Sequence, residues 1–285
     1  MSITVPSYAK INLFLDIDSI RENGYHNIIS LMQCVSLHDD VTVSFTPSEE
    51  KKISVFCSSS SIPCDESNLA YKAANIFPAN GEIIIKIEKR IPVSAGLAGG
   101  SSNAAAVLVA LNKLTGEALS TEELCAIGAR LGADVPFCIK GGACLAEGIG
   151  EILTPVRSMP RCHIVIAKKG EGMSTPAAYK ALDEKYNRFI GYVPLTNKLS
   201  VLTAEANTIT SITDGLFNIF ESVVECERPA VTEIKGIMMT SGAVGAMMSG
   251  SGTSVFGIFN SEKEAVASCE MLTAIGADAH LCYPI

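Results

Sequence analysis

The segment from Pro92 to Asn103, Pro-Val-Ser-Ala-Gly-Leu-Ala-Gly-Gly-Ser-Ser-Asn, is rich in glycine and serine and runs directly into an apolar stretch, 104–112. A loop joined to a helix in this way directs unpaired backbone N–H groups and the positive end of the helix dipole at one point, which suits a phosphate. The glycines allow a close backbone approach, and the hydroxyls of Ser101 and Ser102 can cap the helix. The spacing is neither that of a Walker loop nor that of a Rossmann loop. The segment predicts a phosphate-binding loop of another type, and the alternative is a loop that only caps a core helix.

The composition is that of a folded protein with a substantial core. The chain has 285 residues, of which 48% are hydrophobic and 18% are charged, and this length allows one large domain or two ordinary ones. The formal net charge of −8 argues against general nucleic-acid binding, which needs a basic surface. An anionic ligand remains compatible with that charge, because a local group of N–H donors and one lysine suffice to bind it.

The cysteines lack the spacing of a metal site or a disulfide framework. No Cys-x-x-Cys pair or Cys/His cluster with zinc spacing occurs, so we interpret the ten cysteines as reduced, small core residues and expect a cytoplasmic protein. The first residues show no basic stretch followed by an apolar one, so no signal peptide is expected. No uncharged apolar run reaches the ~20 residues that a membrane span needs. The scattered cysteines are Cys34, Cys57, Cys64, Cys125, Cys138, Cys144, Cys162, Cys226, Cys269 and Cys282.

The first half of the chain reads as strands followed by helices. Two stretches rich in β-branched residues predict long strands, and Ser67 and Ser120 stand where helix caps belong. Strands are predicted over 3–17, 28–46, 82–88 and between Gly142 and Gly148, and helices over 67–75, 104–112 and 120–132.

From about residue 155 the pattern restarts without a low-complexity linker. A strand over 163–167, a helix over 174–184, a mostly helical stretch over 195–240, strands near 243–248 and 253–259, a helix over 261–275 and a short final strand are predicted. We expect two closely packed α+β lobes, 1–155 and 156–285, and a cleft between such lobes is a common ligand site.

Three further segments carry polar residues where a core pattern would not require them. Lys10 lies inside an otherwise apolar strand, where a charge is costly unless it is paired. Asp134 follows a helix-terminating glycine, and a second loop of glycine and serine spans 248–253 between two strands. Each has an ordinary alternative when taken singly: an edge-strand lysine, a helix or turn cap, and a hairpin.

Taken together and in this order, these segments resemble the three motifs of the GHMP kinase superfamily. Those motifs are an N-terminal strand with lysine and asparagine, a Gly-Leu-Gly-Gly-Gly-Ser-Ser-type loop, and a C-terminal Ser/Thr-Gly-Ser-Gly loop. The resemblance covers nearly the whole chain. It implies the α+β GHMP kinase fold, with an N-terminal ribosomal-protein-S5-like lobe that binds ATP, a C-terminal ferredoxin-like lobe, and the active site in the cleft between them.

Four segments resemble one branch of the superfamily more closely. They are Ser7–Leu13, Arg21–His26, Leu131–Pro136 and Ala146–Glu151. Members of that branch use ATP to phosphorylate a hydroxyl of a cytidine-diphosphate-linked sugar alcohol in the non-mevalonate isoprenoid route. The resemblance therefore implies ATP and Mg²⁺ as cofactors and this small molecule as partner, with no nucleic acid and no membrane. A monomer or a homodimer is expected.

The resemblance also implies roles in phosphoryl transfer, which asks a protein mainly for positioning and charge neutralisation. Asp134 would be the catalytic base that accepts the proton of the acceptor hydroxyl. Lys10 would pair with Asp134 and keep it ionised and oriented. Asn68 and Lys89 would line the adenine pocket. The remaining ATP-binding residues would be Val93, Ser94, Ala95, Gly96, Leu97, Ala98, Gly99, Gly100, Ser101, Ser102 and Asn103.

A cytidine site is implied on the second matching segment. His26 would form a hydrogen bond with the cytosine edge, Tyr25 would offer a ring for stacking, and Asn12 would contact the substrate. Tyr179 would supply a second aromatic ring. The alternatives are a turn histidine with satisfied hydrogen bonds and a half-buried helix aromatic.

One position departs from the superfamily pattern. The family usually has glycine at the third loop position, where this chain has Ala98. A left-handed backbone at alanine costs about 1 kcal/mol or more. We therefore predict a negative φ at Ala98, in the first helical turn or just before it.

Competing functions are separated by particular segments. Another superfamily kinase that acts on a small alcohol, such as homoserine or mevalonate, would not need the Gly24–His26 element. A non-catalytic ATP-binding protein on the same scaffold would be expected to lack Lys10 or Asp134, and both are present. A nucleic-acid module rests only on fold analogy and conflicts with the negative net charge.

Overall fold

The N-terminal half is built on two long strands, in agreement with the sequence. The computed structural model describes residues 1–203 and 208–285. Strand β1 spans Ser2–Ile20 and β2 spans His26–Pro47, where 3–17 and 28–46 were predicted. Both strands combine β-branched residues with a continuous buried stretch, the pattern of strands covered on both faces.

The remaining elements alternate between strands and helices. The other strands are β3 Lys52–Cys57, β4 Gly81–Glu88, β5 Ala143–Glu147, β6 Ile152–Val156, β7 His163–Lys168, β8 Phe217–Asn218, β9 Gly245–Met248, β10 Val255–Phe259 and β11 Asp278–Cys282. The helices are α1 Leu69–Ile76, α2 Gly99–Leu114, α3 Thr121–Ala129, α4 Asp134–Lys140, α5 Thr175–Lys185, α6 Thr196–Thr203, α7 Ile209–Gly215, α8 Glu221–Glu227, α9 Pro229–Thr240 and α10 Glu262–Ala274, with a 3-10 turn at Asn187–Phe189.

The described chain divides into two compact units that alternate along the sequence. Unit 1 comprises Met1–Ala9, Leu37–Val93 and Ala98–Gly141, and unit 2 comprises Lys10–Ser36, Ser94–Leu97 and Gly142–Ile285. Strands β1 and β2 therefore each contribute residues to both units. The boundary between predicted lobes 1–155 and 156–285 stays a prediction.

In unit 1, helices pack on a small sheet. Strand β4 pairs in parallel with β3 and antiparallel with the end of β2, where Val43 lies opposite Ile85. Helix α2 packs against both α1 and α4, and α1 also packs on β3 and β4. Alanines of α1 and α2 are fully buried in the same core as Ile83 and Ile85, because small side chains let the helices approach closely.

In unit 2, a four-stranded antiparallel sheet has the order β11-β7-β10-β9. Helices α9 and α10 pack on it, and Val165, Met238 and Leu272 are buried between them. Strand β5 pairs with the beginning of β2 and with β6, and β8 pairs in parallel with β1. Helical packing on an antiparallel sheet confirms the predicted α+β class.

Helix α2 begins at Gly99 and not at residue 104, so Ser101 and Ser102 lie inside the helix and neither caps it. Two further helix boundaries differ from the prediction for local reasons. Asn68, not Ser67, caps α1: its backbone is extended, and its Oδ1 accepts from the Ala70 N–H at 2.8 Å. The Ser67 hydroxyl instead donates to Asp65. The capping box of α3 at Ser120 is confirmed, although the helix ends at Ala129 and not at residue 132.

The stretch predicted as mostly helical, 195–240, contains α6 to α9 together with the short strand β8. The part of that prediction over 204–207 lies outside the described residues. Within the described part of the chain, no helix combines the length and the apolarity that crossing a membrane would require. Cys34, Cys144, Cys162 and Cys282 are buried, as core residues are, but Cys64 and Cys226 are exposed, so the prediction that all ten cysteines are core residues is wrong for these two.

Candidate functional site

The amino end of α2 is built to receive an anion. Helix α2 begins at Gly99, and its N-cap residue Ala98 offers no side-chain hydrogen bond to the first turn. The first turn carries no acidic residue. The Ser102 N–H donates to the Ala98 carbonyl at 2.8 Å, and the N–H groups ahead of it point out of the helix end. These groups and the helix dipole attract negative charge, and phosphate binding at this helix end stays a prediction.

The prediction of a negative φ at Ala98 is wrong. Ala98 has φ 57° and ψ 24°, the left-handed conformation. The backbone just before it is tied down, because the Lys10 N–H donates to the Leu97 carbonyl at 3.2 Å. The change of direction into α2 therefore falls on residue 98. Sequence spacing alone could not reveal this, because the constraint comes from a strand distant in sequence.

The serine and asparagine of the loop fix the helix in place. The Ser102 hydroxyl donates to the Tyr8 carbonyl at 2.7 Å and accepts from the Ser7 hydroxyl at 2.9 Å. Asn103 donates through Nδ2 to Ser7 Oγ at 2.8 Å. Ser102 and Asn103 are buried, whereas Ser101 is half-buried. Within the serine pair, Ser101 is thus the better placed to meet a ligand, and Ser102 holds α2 against β1.

A buried carboxylate, which sequence reasoning missed, binds both this loop and the residues just before it. Asp39 is fully buried, and its Oδ1 accepts from the backbone N–H groups of Arg90 and Ile91 at 2.7 and 2.8 Å. Its Oδ2 accepts from the Lys89 ammonium and from Asn103 Nδ2, each at 2.8 Å. Four hydrogen-bond donors therefore hold this carboxylate in one orientation. The sequence signal that could have revealed this carboxylate was an acidic residue inside the apolar strand pattern of 28–46.

Both residues predicted for the adenine pocket hold backbone groups. The Lys89 ammonium forms its ion pair with Asp39 and also donates to the Ile91 carbonyl at 2.5 Å. Asn68 uses Oδ1 as the α1 cap and donates through Nδ2 to the Pro63 carbonyl at 2.6 Å. Contact of either residue with adenine stays a prediction.

Asp134 is the first residue of α4 and is half-buried. A Cβ atom built on Gly132 would lie 3.9 Å from Ser101 Oγ, so the turn that leads into Asp134 lies against the amino end of α2. Helix α4 also packs along α2. The Asp134 carboxylate and the amino end of α2 therefore belong to the same unit.

Lys10 heads a buried polar chain in unit 2. Its ammonium donates to Asn12 Oδ1 at 2.6 Å, Asn12 Nδ2 donates to Ser30 Oγ at 2.8 Å, and Ser30 donates to the Phe14 carbonyl at 2.7 Å. An ammonium has three N–H donors, so the bond to Asn12 leaves capacity for an anionic ligand. Burial strengthens such an interaction. Pairing of Lys10 with Asp134 stays a prediction.

The loop after β9 meets residues 94–97 backbone to backbone. Ser249 Oγ donates to the Gly96 carbonyl at 3.0 Å, and the Ser254 N–H donates to the Ala95 carbonyl at 3.2 Å. Gly96 and Gly250 have φ of 74° and 57°, and a Cβ on either would collide with the backbone of the other loop. Only glycine allows this approach.

Asn218 braces the same loop and was not found from the sequence. Its Nδ2 donates to the carbonyls of Met248 and Gly250, both at 2.8 Å, and the Asn218 side chain is buried. Helix α5 begins beside the loop, where Thr175 Oγ1 lies 2.9 Å from Ser251 Oγ.

His26 lies in an aromatic cluster of unit 2. Its ring packs against Tyr179 with centroids 4.7 Å apart and the ring planes tilted by 32°, and it meets Phe189 in a T-shaped arrangement at 5.8 Å. His26 Nε2 lies 2.7 Å from Asp183 Oδ1. Tyr25, next to it in sequence, is 60% exposed. An exposed aromatic beside a held imidazole can recognise a planar, hydrogen-bonding group.

Known proteins share both halves of this architecture. The family model described as GHMP kinases N terminal domain matches residues 68–142, and that described as GHMP kinases C terminal matches residues 203–277. A 4-diphosphocytidyl-2-C-methyl-D-erythritol kinase from Caldicellulosiruptor saccharolyticus is 44% identical over 270 residues, which cover 93% of this chain and 91% of the relative. The chain belongs to the 4-diphosphocytidyl-2-C-methyl-D-erythritol kinase family.

Solved structures agree with the family assignment. The crystal structure of a 4-(cytidine 5'-diphospho)-2C-methyl-D-erythritol kinase superimposes with a TM-score of 0.81 at 31% identity, covering 99% of each chain. A homoserine kinase from Cytophaga hutchinsonii has a TM-score of 0.74 at 19% identity and shows the common fold alone. The fold prediction is therefore confirmed at the level of the 4-diphosphocytidyl-2-C-methyl-D-erythritol kinase family.

Proposed function

We propose that this chain uses ATP to phosphorylate the 2-hydroxyl of 4-diphosphocytidyl-2-C-methyl-D-erythritol. The structural observation that carries the proposal is the uncapped amino end of α2, since a helix end without a capping side chain or an acid in its first turn is ready for phosphate. Family membership supplies the acceptor, because the full-length relatives are kinases of that molecule.

Asp134 is proposed as the group that accepts the proton of the acceptor hydroxyl. Its place at the start of α4, in the unit that holds the amino end of α2, supports this role. A loose phosphoryl-transfer transition state requires little basicity, so orienting the hydroxyl matters more than proton abstraction. Lys10 is proposed to balance charge on the transferred phosphoryl group and to pair with Asp134. Its buried ammonium and its link to Asn12 support that role.

Magnesium is proposed to arrive with the nucleotide. Among residues 1–203 and 208–285, no group of three or more His, Cys, Asp or Glu side chains could hold a metal ion. Mg²⁺ in kinases is held by one or two carboxylates together with substrate phosphates, so binding it does not require a cluster of protein ligands. Bound to the nucleotide phosphates, the ion would neutralise part of their negative charge. The chain's own share is to position the phosphates through the N–H groups at residues 93–103.

The cytidine end is proposed to bind at His26, with Tyr25 and Tyr179 as ring partners and Asn12 nearby. The contact between the Tyr179 and His26 rings and the exposure of Tyr25 support an aromatic site. Replacing His26 with alanine should raise KM for the cytidine-linked acceptor far more than KM for ATP. Equal effects on both constants would contradict this assignment. Cytoplasmic location and a monomer or homodimer in solution stay predictions.

The test is ATP consumption with a panel of acceptors: the cytidine-linked methylerythritol, homoserine, mevalonate and galactose. We expect turnover with the first alone, and turnover only with another acceptor, or with none, would overturn the proposal. Asp134→Asn and Lys10→Ala should each lower kcat about 10²-fold or more. The matched controls are Glu122→Gln and Lys140→Ala, which remove exposed charges of the same sign from α3 and α4. Near-normal turnover of Asp134→Asn would reject its role.

A further inference from the structure

Helix α5 holds the His26 ring by both its face and its edge. Tyr179 and Asp183 are four residues apart on α5, so both project from the same face of the helix. Tyr179 packs against the ring at 4.7 Å between centroids with the planes tilted by 32°, and Asp183 Oδ1 lies 2.7 Å from Nε2. Phe189 closes a third side. The imidazole is therefore fixed in rotation, and only its Nδ1 edge remains for a ligand.

The partner of Nε2 decides which nitrogen of His26 carries the proton. An ionised carboxylate only accepts hydrogen bonds, so Nε2 must be the donor, and in the neutral ring Nδ1 then presents a lone pair. Within the described part of the chain, Nδ1 has no hydrogen-bond partner, and it is not sealed from solvent. The site thus offers an acceptor, not a donor, at the open edge of the ring.

The helix that carries Asp183 is anchored at both ends, so the Asp183 carboxylate stays in place to fix the tautomer of His26. Helix α5 is capped by the Ser174 hydroxyl, which accepts from the Ala177 N–H, and its first residue, Thr175, is linked to Ser251. Near its other end, the Lys185 ammonium donates to the Ser222 carbonyl at 2.6 Å. Both ends of the helix that carries Asp183 are therefore anchored within unit 2.

We propose that Asp183 is a positioning residue for base recognition: it sets the His26 tautomer so that Nδ1 accepts from the exocyclic amine of cytosine. Uracil has a carbonyl oxygen where cytosine has that amine, so two lone pairs would face each other and a uridine-linked acceptor would be rejected. The inference rests on the proposed function, and it adds the residue that selects cytosine over uracil. Discrimination of this kind is strong, because a buried acceptor left unpaired is costly.

The first experiment is steady-state kinetics of Asp183→Asn with the cytidine-linked acceptor, its uridine-linked analogue and ATP. The asparagine amide can donate to Nε2, which allows the other tautomer at nearly constant shape. We expect KM for the cytidine-linked acceptor to rise about tenfold, KM for ATP and kcat to change less than twofold, and the preference for cytidine over uridine to fall by about the same factor. Asp183→Ala, which removes the acceptor without adding a donor, should give the same split. Glu184→Gln, an exposed neighbour on α5, is the control and should change none of these values.

The second experiment reads the tautomer directly from ¹⁵N shifts of the imidazole at pH 8, with His26 assigned through a His26→Asn variant. We expect a proton on Nε2 in the wild-type chain and a population protonated on Nδ1 in Asp183→Asn. A wild-type ring protonated on Nδ1, or an unchanged base preference in both Asp183 variants, would overturn the inference. Failure of the wild-type chain to phosphorylate the cytidine-linked acceptor would instead reject the proposed function, and the ¹⁵N result separates these two failures.

Discussion

The phosphate loop and the His26 region are built from different parts of the polypeptide. Around residues 93–103, the groups that would meet a ligand are backbone N–H donors, and the conformation depends on glycines such as Gly96. Around His26, the groups that would meet a ligand are side chains, and the imidazole is oriented by Tyr179 and Asp183. A site made of backbone groups can be recognised from a short stretch of sequence, because few residues tolerate its backbone geometry. A site made of side chains leaves its partners scattered along the chain.

The largest effect is expected for Gly96→Ala, which tests the backbone half of this comparison. A Cβ there would collide with the Ser249 carbonyl, and φ of 74° is unfavourable for alanine. Strain and steric overlap together should lower the free energy of unfolding by about 2–5 kcal/mol and abolish ATP turnover. Urea denaturation and an ATP-consumption assay would measure these effects.

The matched control for that change is Gly236→Ala in α9, where a Cβ meets open space. It should stabilise the chain by up to about 1 kcal/mol through helix propensity. If Gly96→Ala behaved like Gly236→Ala, the close approach of the two loops would be disproved.

A smaller, pH-dependent effect is expected at Asp16, which anchors the His26 region. Asp16 accepts from the Tyr192 hydroxyl at 2.7 Å and from the Leu195 N–H at 2.9 Å, and Tyr192 packs on the edge of Phe189. Burial raises the pKa of the Asp16 carboxyl above 3.8 and also raises the pKa of the Tyr192 phenol, which therefore remains the hydrogen-bond donor.

The sign of the pH dependence follows from that direction. The native chain binds the Asp16 proton more tightly than the unfolded chain, so this group's contribution to stability falls as pH rises from 3.8 to the raised native pKa. The stability of the wild-type chain minus that of Asp16→Asn should therefore decrease over this window. Denaturant titrations at several pH values would measure it. An equal trend in Asp18→Asn, an exposed acid on the same strand, would contradict the burial argument.

The smallest change in stability is expected for a substitution at Ala98, in the phosphate loop. Alanine at φ 57° is strained, so Ala98→Gly should raise the free energy of unfolding by about 1 kcal/mol. The same substitution at Ala126, within α3, should lower it by about 1 kcal/mol. Thermal unfolding of the two variants would show opposite shifts, and shifts of the same sign would refute the strain argument.

Several elements could be predicted from the sequence for local reasons. The capping box at Ser120 and the strand β4 follow from short-range patterns, and the glycine and serine loop marked the start of α2. The capping of α1 was missed by one residue, because Ser67 and Asn68 are both good caps and only the contact with Asp65 decides between them.

By itself, the amino-acid sequence determined the α+β class through local periodicity and the family through its short motifs, and it predicted a phosphate-binding loop from the restricted geometry of glycine. Tertiary structure alone decided the positive φ of Ala98, the four hydrogen bonds to Asp39 and the grip of Asp183 on His26. Each depends on groups far apart in sequence, whose meeting is set by the packing of the whole unit and by no short-range preference.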